Sequence, residues 1–388
     1  MLTKSFWIGG FECACHRRRD GRRLDLIEAT GHDRWLAADY ERLRRLGMTT
    51  AREGVRWHLI EPSPGRYDFS SLLPMVRTAR DLGIQVIWDL CHYGWPDDLD
   101  VFGARFADRF AAYAREVARV VREETGEPPL WAPVNEISFL SWAGGDVEYL
   151  NPFCRGRGFE LKVQLVRATL AAIDAVWEVD PRARIVHADP AIHIAADPRR
   201  PEEAAAAEEQ RLCQFQGWEM LRGGIWPQLG GAAPYLDVLG VNYYPGNQWV
   251  LNGGKIQRGE PLYRPFRAIV QEIWERFGRP MLITETGAEG EDRAPWLRYV
   301  SEEVRAARRA GVPVHGICLY PILDYPGWDD DRHCPAGLWG FCGDEGEREE
   351  HGSLAMELEL QTELFRREEG TAEVQLATTE EEIEHAVF

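Results

Sequence analysis

The 388-residue sequence lacks the features that mark membrane, secreted and nucleic-acid-binding proteins. No apolar run approaches the roughly 18 residues needed to cross a bilayer, so we expect no membrane partner. The N-terminus has no basic segment followed by an apolar stretch, so we expect no signal peptide. Basic residues are outnumbered, 45 Lys and Arg against 63 Asp and Glu, for a formal net charge of −18. This balance argues against nucleic acid as a partner, because phosphate binding needs a basic face.

Cysteine motifs are equally sparse. Eight cysteines are too few for a disulfide scaffold in so long a chain, and we expect reduced thiols in the cytoplasm. The run Cys13-Ala14-Cys15-His16 is not a standard zinc spacing, and no second metal-ligand pair accompanies it, so we predict no metal site.

Two glycine-containing motifs are also missing. No G-x-G-x-x-G turn follows the first predicted strand, which disfavours a doubly wound sheet. No G-x-S-x-G motif occurs, which disfavours a serine hydrolase.

Short apolar runs alternate with amphipathic stretches along most of the chain. The runs are rich in Val and Ile and carry few charges, as is typical of strands buried on both faces. Helical periodicity occupies the segments between them, so each strand is followed by a helix. The predicted strands are Phe6–Gly10, Thr50–Trp57, Ile84–Leu90, Leu130–Val134, Arg184–His187, Leu236–Val241, Met281–Thr284 and Val314–Leu319.

Eight strands, each followed by a helix, predict an α/β fold with a single (β/α)8 or TIM barrel. We assign the barrel to residues 1–369, with Leu354, Leu358 and Phe365 packing inward from its last helix. Residues 370–388 are predicted to form a solvated acidic C-terminal tail, because runs of like charge are usually solvated.

Two glutamates stand out at the predicted mouth of this barrel, where residues that carry chemistry lie at the C-terminal ends of strands. Glu136 follows the fourth strand, and Glu285 follows the seventh. Glycoside hydrolysis requires such a pair, one carboxyl protonated to donate to the leaving oxygen and the other ionised to attack or to activate water. The pair therefore favours a carbohydrate or glycoside as substrate.

The residues around both glutamates resemble a known group of enzymes. Trp131-Ala132-Pro133-Val134-Asn135-Glu136 resembles the acid/base motif of clan A glycoside hydrolases. Leu282-Ile283-Thr284-Glu285-Thr286-Gly287 resembles the nucleophile motif of family 1 β-glycosidases, with Thr286 in place of Asn. Further matches lie at 6–10, 51–57, 237–244 and 323–328, so the resemblance runs from about residue 6 to about residue 343.

The resemblance implies a retaining β-glycosidase that works by double displacement, through a covalent glycosyl-enzyme and without a cofactor. Glu285 would be the nucleophile and Glu136 the acid/base. Arg52 and Tyr244 would bond Glu285, while Asn135 would hold the sugar 2-hydroxyl. The other predicted sugar-binding residues are Glu12, His16, His92, Tyr93, Asn242, Tyr320 and Trp328.

Three positions depart from the family pattern and lead us to expect an altered sugar specificity. Gly327 stands where the family has a Glu that grips two sugar hydroxyls, and glycine would leave room for a decorated sugar. Tyr320 stands in place of a Trp platform. For the family's sugar-binding Gln near strand one, Glu12 and His16 are both candidates.

Several alternatives stay open from the sequence. A transglycosidase would use the same two carboxylates, whereas a catalytically inactive sugar-binding barrel would have lost their function. A metal-dependent barrel hydrolase would use the Cys/His residues near the mouth. The sugar, the aglycone, exo or endo action and the oligomeric state are not determined by the sequence.

Overall fold

Eight parallel strands form a closed barrel in the computed structural model, which describes residues 2–368. Each overlaps one of the predicted strands, so the (β/α)8 fold is confirmed. The acidic tail predicted at 370–388 lies outside the described residues. The strands are β1 (Trp7–Gly10), β2 (Thr50–Gly54), β3 (Gln85–Asp89), β4 (Leu130–Ala132), β5 (Arg184–Pro190), β6 (Val238–Asn242), β7 (Met281–Thr286) and β8 (Val314–Leu319).

The strands follow one another around the barrel in chain order, and β1 closes it against β8, with Trp7 paired to Ile317. The parallel register aligns the C-terminal ends. Arg52 pairs with Gly10 of β1, and Asn242 of β6 pairs with Glu285 of β7. The polar residues that end these strands therefore lie at one level, at the barrel mouth.

Helices cover the outside of the barrel because each has one apolar face. In the helix after β3, Phe106, Phe110, Tyr113, Val117 and Val121 recur at helical spacing and are all buried. The longer helices are α1 (His32–Arg45), α2 (Leu73–Asp81), α3 (Phe106–Thr125), α4 (Gly158–Val179), α5 (Ala204–Leu212), α6 (Gln216–Leu221), α7 (Phe266–Phe277), α8 (Arg293–Arg309) and α9 (352–368).

One-turn elements and small sheets fill the loops. Single α-turns lie at Leu26–Ala29, Trp57–Ile60 and Ile137–Leu140, and a π-helical turn follows at Ser141–Asp146. Short 3₁₀ turns lie at Pro201–Glu203, Cys213–Phe215, Pro227–Leu229, Ala233–Tyr235 and Gly290–Asp292. The paired short strands are His193–Ala195 with Gln248–Val250, Tyr325–Pro326 with His333–Cys334, and Trp339–Cys342 with Arg348–Glu350.

Helix α9 packs its apolar face inward, and Leu354, Leu358 and Phe365 are buried as the sequence predicts. The centre of the Phe365 ring lies 4.3 Å from that of Phe6 and 5.7 Å from that of Trp7, so the helix packs against the start of β1. Within residues 2–368, no helix combines the length and the apolar character that a membrane span requires.

Candidate active site

Arg52 organises one side of the barrel mouth. Its Nη1 donates to Glu285 Oε1 at 2.7 Å, and its Nη2 and Nε donate to the two oxygens of Asp89 at 2.7 and 3.1 Å. The second oxygen of Glu285 accepts from the Tyr244 hydroxyl at 2.8 Å. Both oxygens of Glu285 thus accept a hydrogen bond, and the two bonds fix the orientation of the carboxylate.

Glu136 lies in a different environment. It follows β4 in a left-handed backbone conformation with φ of 50°, a strained geometry that is common at functional sites. Its Oε2 accepts from the Tyr93 hydroxyl at 2.5 Å and its Oε1 from Asn242 Nδ2 at 2.9 Å. Burial, followed by the negative charge of Glu285, raises the pKa of Glu136 to about 8, although these two hydrogen bonds lower it in part. Glu136 can therefore carry a proton at neutral pH.

Glu136 and Glu285 line one cavity of about 440 Å³ at the barrel mouth. Two carboxyls with opposed environments in one cavity are the arrangement that separates an acid from a nucleophile. The cavity also contains aromatic and apolar surface, which suits a ring-shaped ligand. The wall is completed by Glu12, His92, Tyr93, Phe139, Pro190, Tyr244, Pro245, Gly246, Asn247, Lys255, Gly287, Ala288, Glu289, Tyr320, Pro321, Tyr325, Trp328 and Ala336.

The structure brings the predicted residues together. Eight of the twelve line the cavity, namely Glu12, His92, Tyr93, Glu136, Tyr244, Glu285, Tyr320 and Trp328. Arg52, Asn135 and Asn242 lie behind the wall, hydrogen-bonded to residues that form it. His16 is also set back, with its ring 5.5 Å from Trp328 and 6.4 Å from Tyr93. Burial, followed by the charge of His92, lowers the pKa of His16 to about 3, so its imidazole is neutral.

Of the two candidates near strand one, Glu12 is the residue in the cavity wall. Its Oε1 accepts from the backbone N–H of Ala14 at 2.9 Å and lies 3.5 Å from the Tyr320 hydroxyl. The same oxygen is 3.9 Å from His92 Nε2. Burial raises the pKa of Glu12. Glu12 thus adds a carboxyl to the cavity wall beside His92 and Tyr320.

Cys13, Asp89 and His92 form the one group of metal-ligand type found among residues 2–368. His92 Nδ1 lies 3.0 Å from Asp89 Oδ2 and 3.2 Å from Cys13 Sγ. Both oxygens of Asp89 already accept from the Arg52 guanidinium, which places a fixed positive charge beside the group. Burial also raises the pKa of the Cys13 thiol well above its ordinary value. Hydrogen bonding accounts for this cluster without a metal ion.

The loop after β8 carries Gly327, where the sequence leads us to expect room for a decorated sugar. A Cβ atom at Gly327 would overlap Asp330 Oδ1 and lie 3.2 Å from Arg332 Cγ. Asp330 is exposed and its carboxylate can turn away, so room for a decorated sugar beside Gly327 stays a prediction. The loop contributes Tyr325 and Trp328 to the cavity wall.

Sequence reasoning left several wall and support residues out of the predicted site. Asp89, which orients Arg52, ends an apolar strand. This strand-end position is the one feature of the sequence that indicates a place in the site for Asp89. Phe139, Lys255 and Glu289 line the cavity from loops after β4, β6 and β7. Their spacing in the sequence carries no pattern that would have identified them.

No protein-family model matches the sequence, and no curated protein matches it. Solved structures do share its fold. A β-glucosidase from Thermotoga maritima in complex with deoxynojirimycin aligns with a TM-score of 0.76 at 18% identity, covering 92% of this chain and 97% of that one. A family 1 β-glucosidase from the same organism aligns with a TM-score of 0.76 at 17% identity, covering 92% and 96%. The AHE enzyme from Alicyclobacillus herbarius gives a TM-score of 0.71 at 17% identity, covering 87% and 88%. At these identities the likeness shows the fold.

Proposed function

We propose that this chain is a retaining β-glycosidase, of the family 1 type, that hydrolyses β-linked glycosides without a cofactor. The observation that carries the proposal is the pairing of Glu285, bonded by Arg52 and Tyr244, with a buried Glu136 in one cavity. The shared fold with β-glucosidases, one of them solved with deoxynojirimycin, is consistent with a carbohydrate substrate.

In the first step, a carboxylate oxygen of Glu285 attacks the anomeric carbon and forms a covalent ester. The glycosidic C–O bond breaks, and Glu136 gives its proton to the departing oxygen. The pKa of about 8 means that Glu136 holds this proton at neutral pH. Arg52 balances the charge of Glu285 before the attack, and Tyr244 aims the carboxylate.

In the second step, water attacks the anomeric carbon of the glycosyl-enzyme. Glu136, now ionised, takes a proton from that water, and the ester bond breaks to release Glu285 and the sugar. Esterification removes the charge of Glu285, one of the causes that raise the pKa of Glu136. The loss of this charge favours the ionised form of Glu136 when it must act as a base.

The sugar ring is proposed to lie between Glu285 and the wall formed by Glu12, His92 and Tyr320. Asn135 Nδ2 already donates to the Tyr93 hydroxyl and lies 3.1 Å from His92 Nε2, so its contact with a 2-hydroxyl would share that amide. Glu12 provides the carboxyl acceptor that the β8 loop lacks at Gly327. We therefore propose that Glu12 holds the sugar hydroxyls that the family's loop Glu grips.

A panel of aryl glycosides that differ in sugar and anomer tests this function. We expect hydrolysis of at least one β-glycoside, none of its α-anomer, and loss of turnover in Glu285→Gln. Glu303→Gln, which removes a buried carboxyl that α8 pairs with Arg267 away from the cavity, is the matched control and should stay active. Ligand binding without turnover would instead identify a sugar-binding barrel, and an acceptor-dependent product a transglycosidase.

We also propose a reducing compartment, the cytoplasm, as the place of action. All eight cysteines are free thiols, and Cys13, Cys15, Cys91, Cys318 and Cys334 are buried. Thiols persist unpaired where glutathione and thioredoxin keep them reduced. Cell fractionation with an antibody to the chain would test this.

A further inference from the structure

A continuous chain of hydrogen bonds joins the two carboxyls of the cavity. Arg52 donates to Glu285 Oε1 through Nη1 and to Asn135 Oδ1 through Nη2, each at 2.7 Å. Asn135 Nδ2 in turn donates to the Tyr93 hydroxyl at 3.0 Å. The Tyr93 hydroxyl donates to Glu136 Oε2 at 2.5 Å. Glu285 and Glu136 are therefore linked through three side chains.

The donor and the acceptor of each hydrogen bond in this series follow from which atoms carry hydrogen. A guanidinium has only donors, so the Asn135 atom that faces Arg52 must be its oxygen. The Asn135 NH₂ group then faces Tyr93, whose oxygen must accept. The one hydroxyl hydrogen of Tyr93 is left for Glu136. Glu136 thus receives a donated hydrogen bond, and this bond favours its carboxylate form.

The Tyr93 side chain is held in place by packing as well. Its ring lies 5.5 Å from that of Trp328 and 5.8 Å from that of Phe139, and only 1% of its surface is exposed. Its backbone has φ of 67°, in the left-handed region that a bulky residue rarely adopts. Such strain persists only where the surroundings enforce it, and it is found most often at functional sites.

We propose that Tyr93 is a positioning residue that orients Glu136 and sets the pH at which it releases its proton. The catalytic use of this role rests on the proposed function, whereas the effect of Tyr93 on the titration of Glu136 does not, and the role is other than sugar binding. The bond from Tyr93 opposes the burial of Glu136, so the carboxyl is protonated for the first step yet can ionise for the second.

Other groups around Glu136 also act on its titration. Glu285 of β7 raises its pKa, as does Asp189 of β5, whereas Asn242 of β6 donates to its second oxygen. His92 precedes Tyr93 and lies near Glu12 from the loop after β1. A substitution that removes only the Tyr93 hydroxyl leaves all of these groups in place, so it isolates one contribution.

Tyr93→Phe is the variant that tests the proposal, with Tyr113→Phe as its matched control. Tyr113 is also buried, but its one hydroxyl hydrogen is shared between the backbone oxygens of Val55 and Leu90, at 3.3 and 3.1 Å. The titration of Glu136 is followed directly by infrared or ¹³C NMR spectroscopy of labelled Glu carboxyls, with Glu136→Gln identifying its signal. In parallel, kcat/KM is measured against pH on a glycoside with a poor leaving group.

We expect the Glu136 titration and the alkaline limb of kcat/KM to move up together in Tyr93→Phe, by about 1 to 2 pH units. Tyr113→Phe should leave both where they are. Activated aryl glycosides should show slower second-step turnover near neutral pH, because a higher pKa leaves less of Glu136 ionised and able to take a proton from water. An unchanged Glu136 titration in folded Tyr93→Phe would overturn the proposal.

A second variant tests the proposal if Tyr93→Phe does not fold. 3-Fluorotyrosine at position 93 keeps the hydrogen bond to Glu136 and makes the hydroxyl a stronger donor, so the pKa of Glu136 should fall. An unchanged Glu136 titration in this variant would overturn the proposal. If no glycoside is hydrolysed but the titration moves as expected, the proposed function fails and the role of Tyr93 stands.

Discussion

Arg52 and Glu285 are joined at 2.7 Å through Nη1 of the guanidinium, at the point where β2 and β7 reach the barrel mouth. Arg52 has no exposed surface and also holds Asp89 through two hydrogen bonds. One buried cation thus faces two carboxylates, so its charge is shared between them. Asp89 fixes the guanidinium plane, and this plane in turn fixes Glu285.

Glu136→Ala should separate substrates by their leaving groups. Glycosides with poor leaving groups need a proton in the first step and should lose about 10²–10⁴-fold in kcat/KM, whereas activated aryl glycosides should lose far less. Azide should partly restore turnover of the activated substrates, because it needs no general base. We would measure kcat/KM by steady-state kinetics on both substrate types, with and without azide. Equal losses on both types, with no azide effect, would exclude Glu136 as the acid/base.

Activity should fall as the pH rises through about 8, because Glu136 acts as an acid in its protonated form and burial raises its pKa to about 8. The profile of kcat/KM on a glycoside with a poor leaving group checks this. The fall in kcat/KM above about pH 8 should be absent in Glu136→Ala. A limb that persists unchanged in that variant would belong to another group.

Sugar specificity should be broad at the hydroxyls that the family's loop Glu holds, because Glu12 Oε1 already accepts from Ala14 and only the other oxygen is left for them. We expect kcat/KM for the β-glucoside and the β-galactoside to differ by less than about tenfold, with β-fucoside and β-xyloside also accepted. Glu12→Gln should reduce kcat/KM by about ten- to a hundredfold, since a bond to a charged group is lost. Glu303→Gln, on α8 and outside the cavity, is the control. A strong preference for the plain β-glucoside, unaffected by Glu12→Gln, would show that another residue makes the contact.

His32 should make stability depend on alkaline pH. Its Nδ1 lies 2.9 Å from Asp39 Oδ2 and its Nε2 lies 2.9 Å from Glu53 Oε1. All three side chains are fully buried. Burial alone would lower the pKa of His32, but the charge of Glu53 and the bonds to both carboxylates raise it to about 9.

Because the folded-state pKa of His32 lies above its ordinary 6.5, the stabilisation is full below pH 6.5 and lost as the pH rises through about 9. It is on the order of 3 kcal/mol. Denaturant unfolding at pH 6 and pH 10 should show His32→Gln less stable than the parent at pH 6, with the difference shrinking at pH 10. A difference that is the same at both pH values would contradict a cationic His32.

The sequence predicted the barrel because strands such as Val314–Leu319 are apolar on both faces and helices such as α3 repeat every 3.6 residues. Glu136 and Glu285 could also be predicted, because the end of a parallel strand fixes where the next residue lies. These properties depend on local pattern and on fold geometry alone.

Contacts between distant loops could not be predicted in the same way. The bond from Tyr93 to Glu136 depends on left-handed backbone at both residues, which neither side chain favours. The position of Glu12 in the wall, with His16 behind it, depends on how the loop after β1 folds over Trp328. The position of Asp330 Oδ1, where a Cβ atom of residue 327 would lie, is likewise a property of loop conformation.

The identity of the nucleophile is tested most directly by trapping the covalent intermediate. A 2-deoxy-2-fluoro β-glycoside with a dinitrophenyl leaving group forms the ester and slows its hydrolysis, and mass spectrometry of the digested protein locates the added sugar. We predict one sugar per chain, on Glu285, with loss of activity in step with labelling and no label in Glu285→Gln. An enzyme that hydrolyses the parent β-glycoside yet carries the label on another residue, or still labels as Glu285→Gln, would contradict the account.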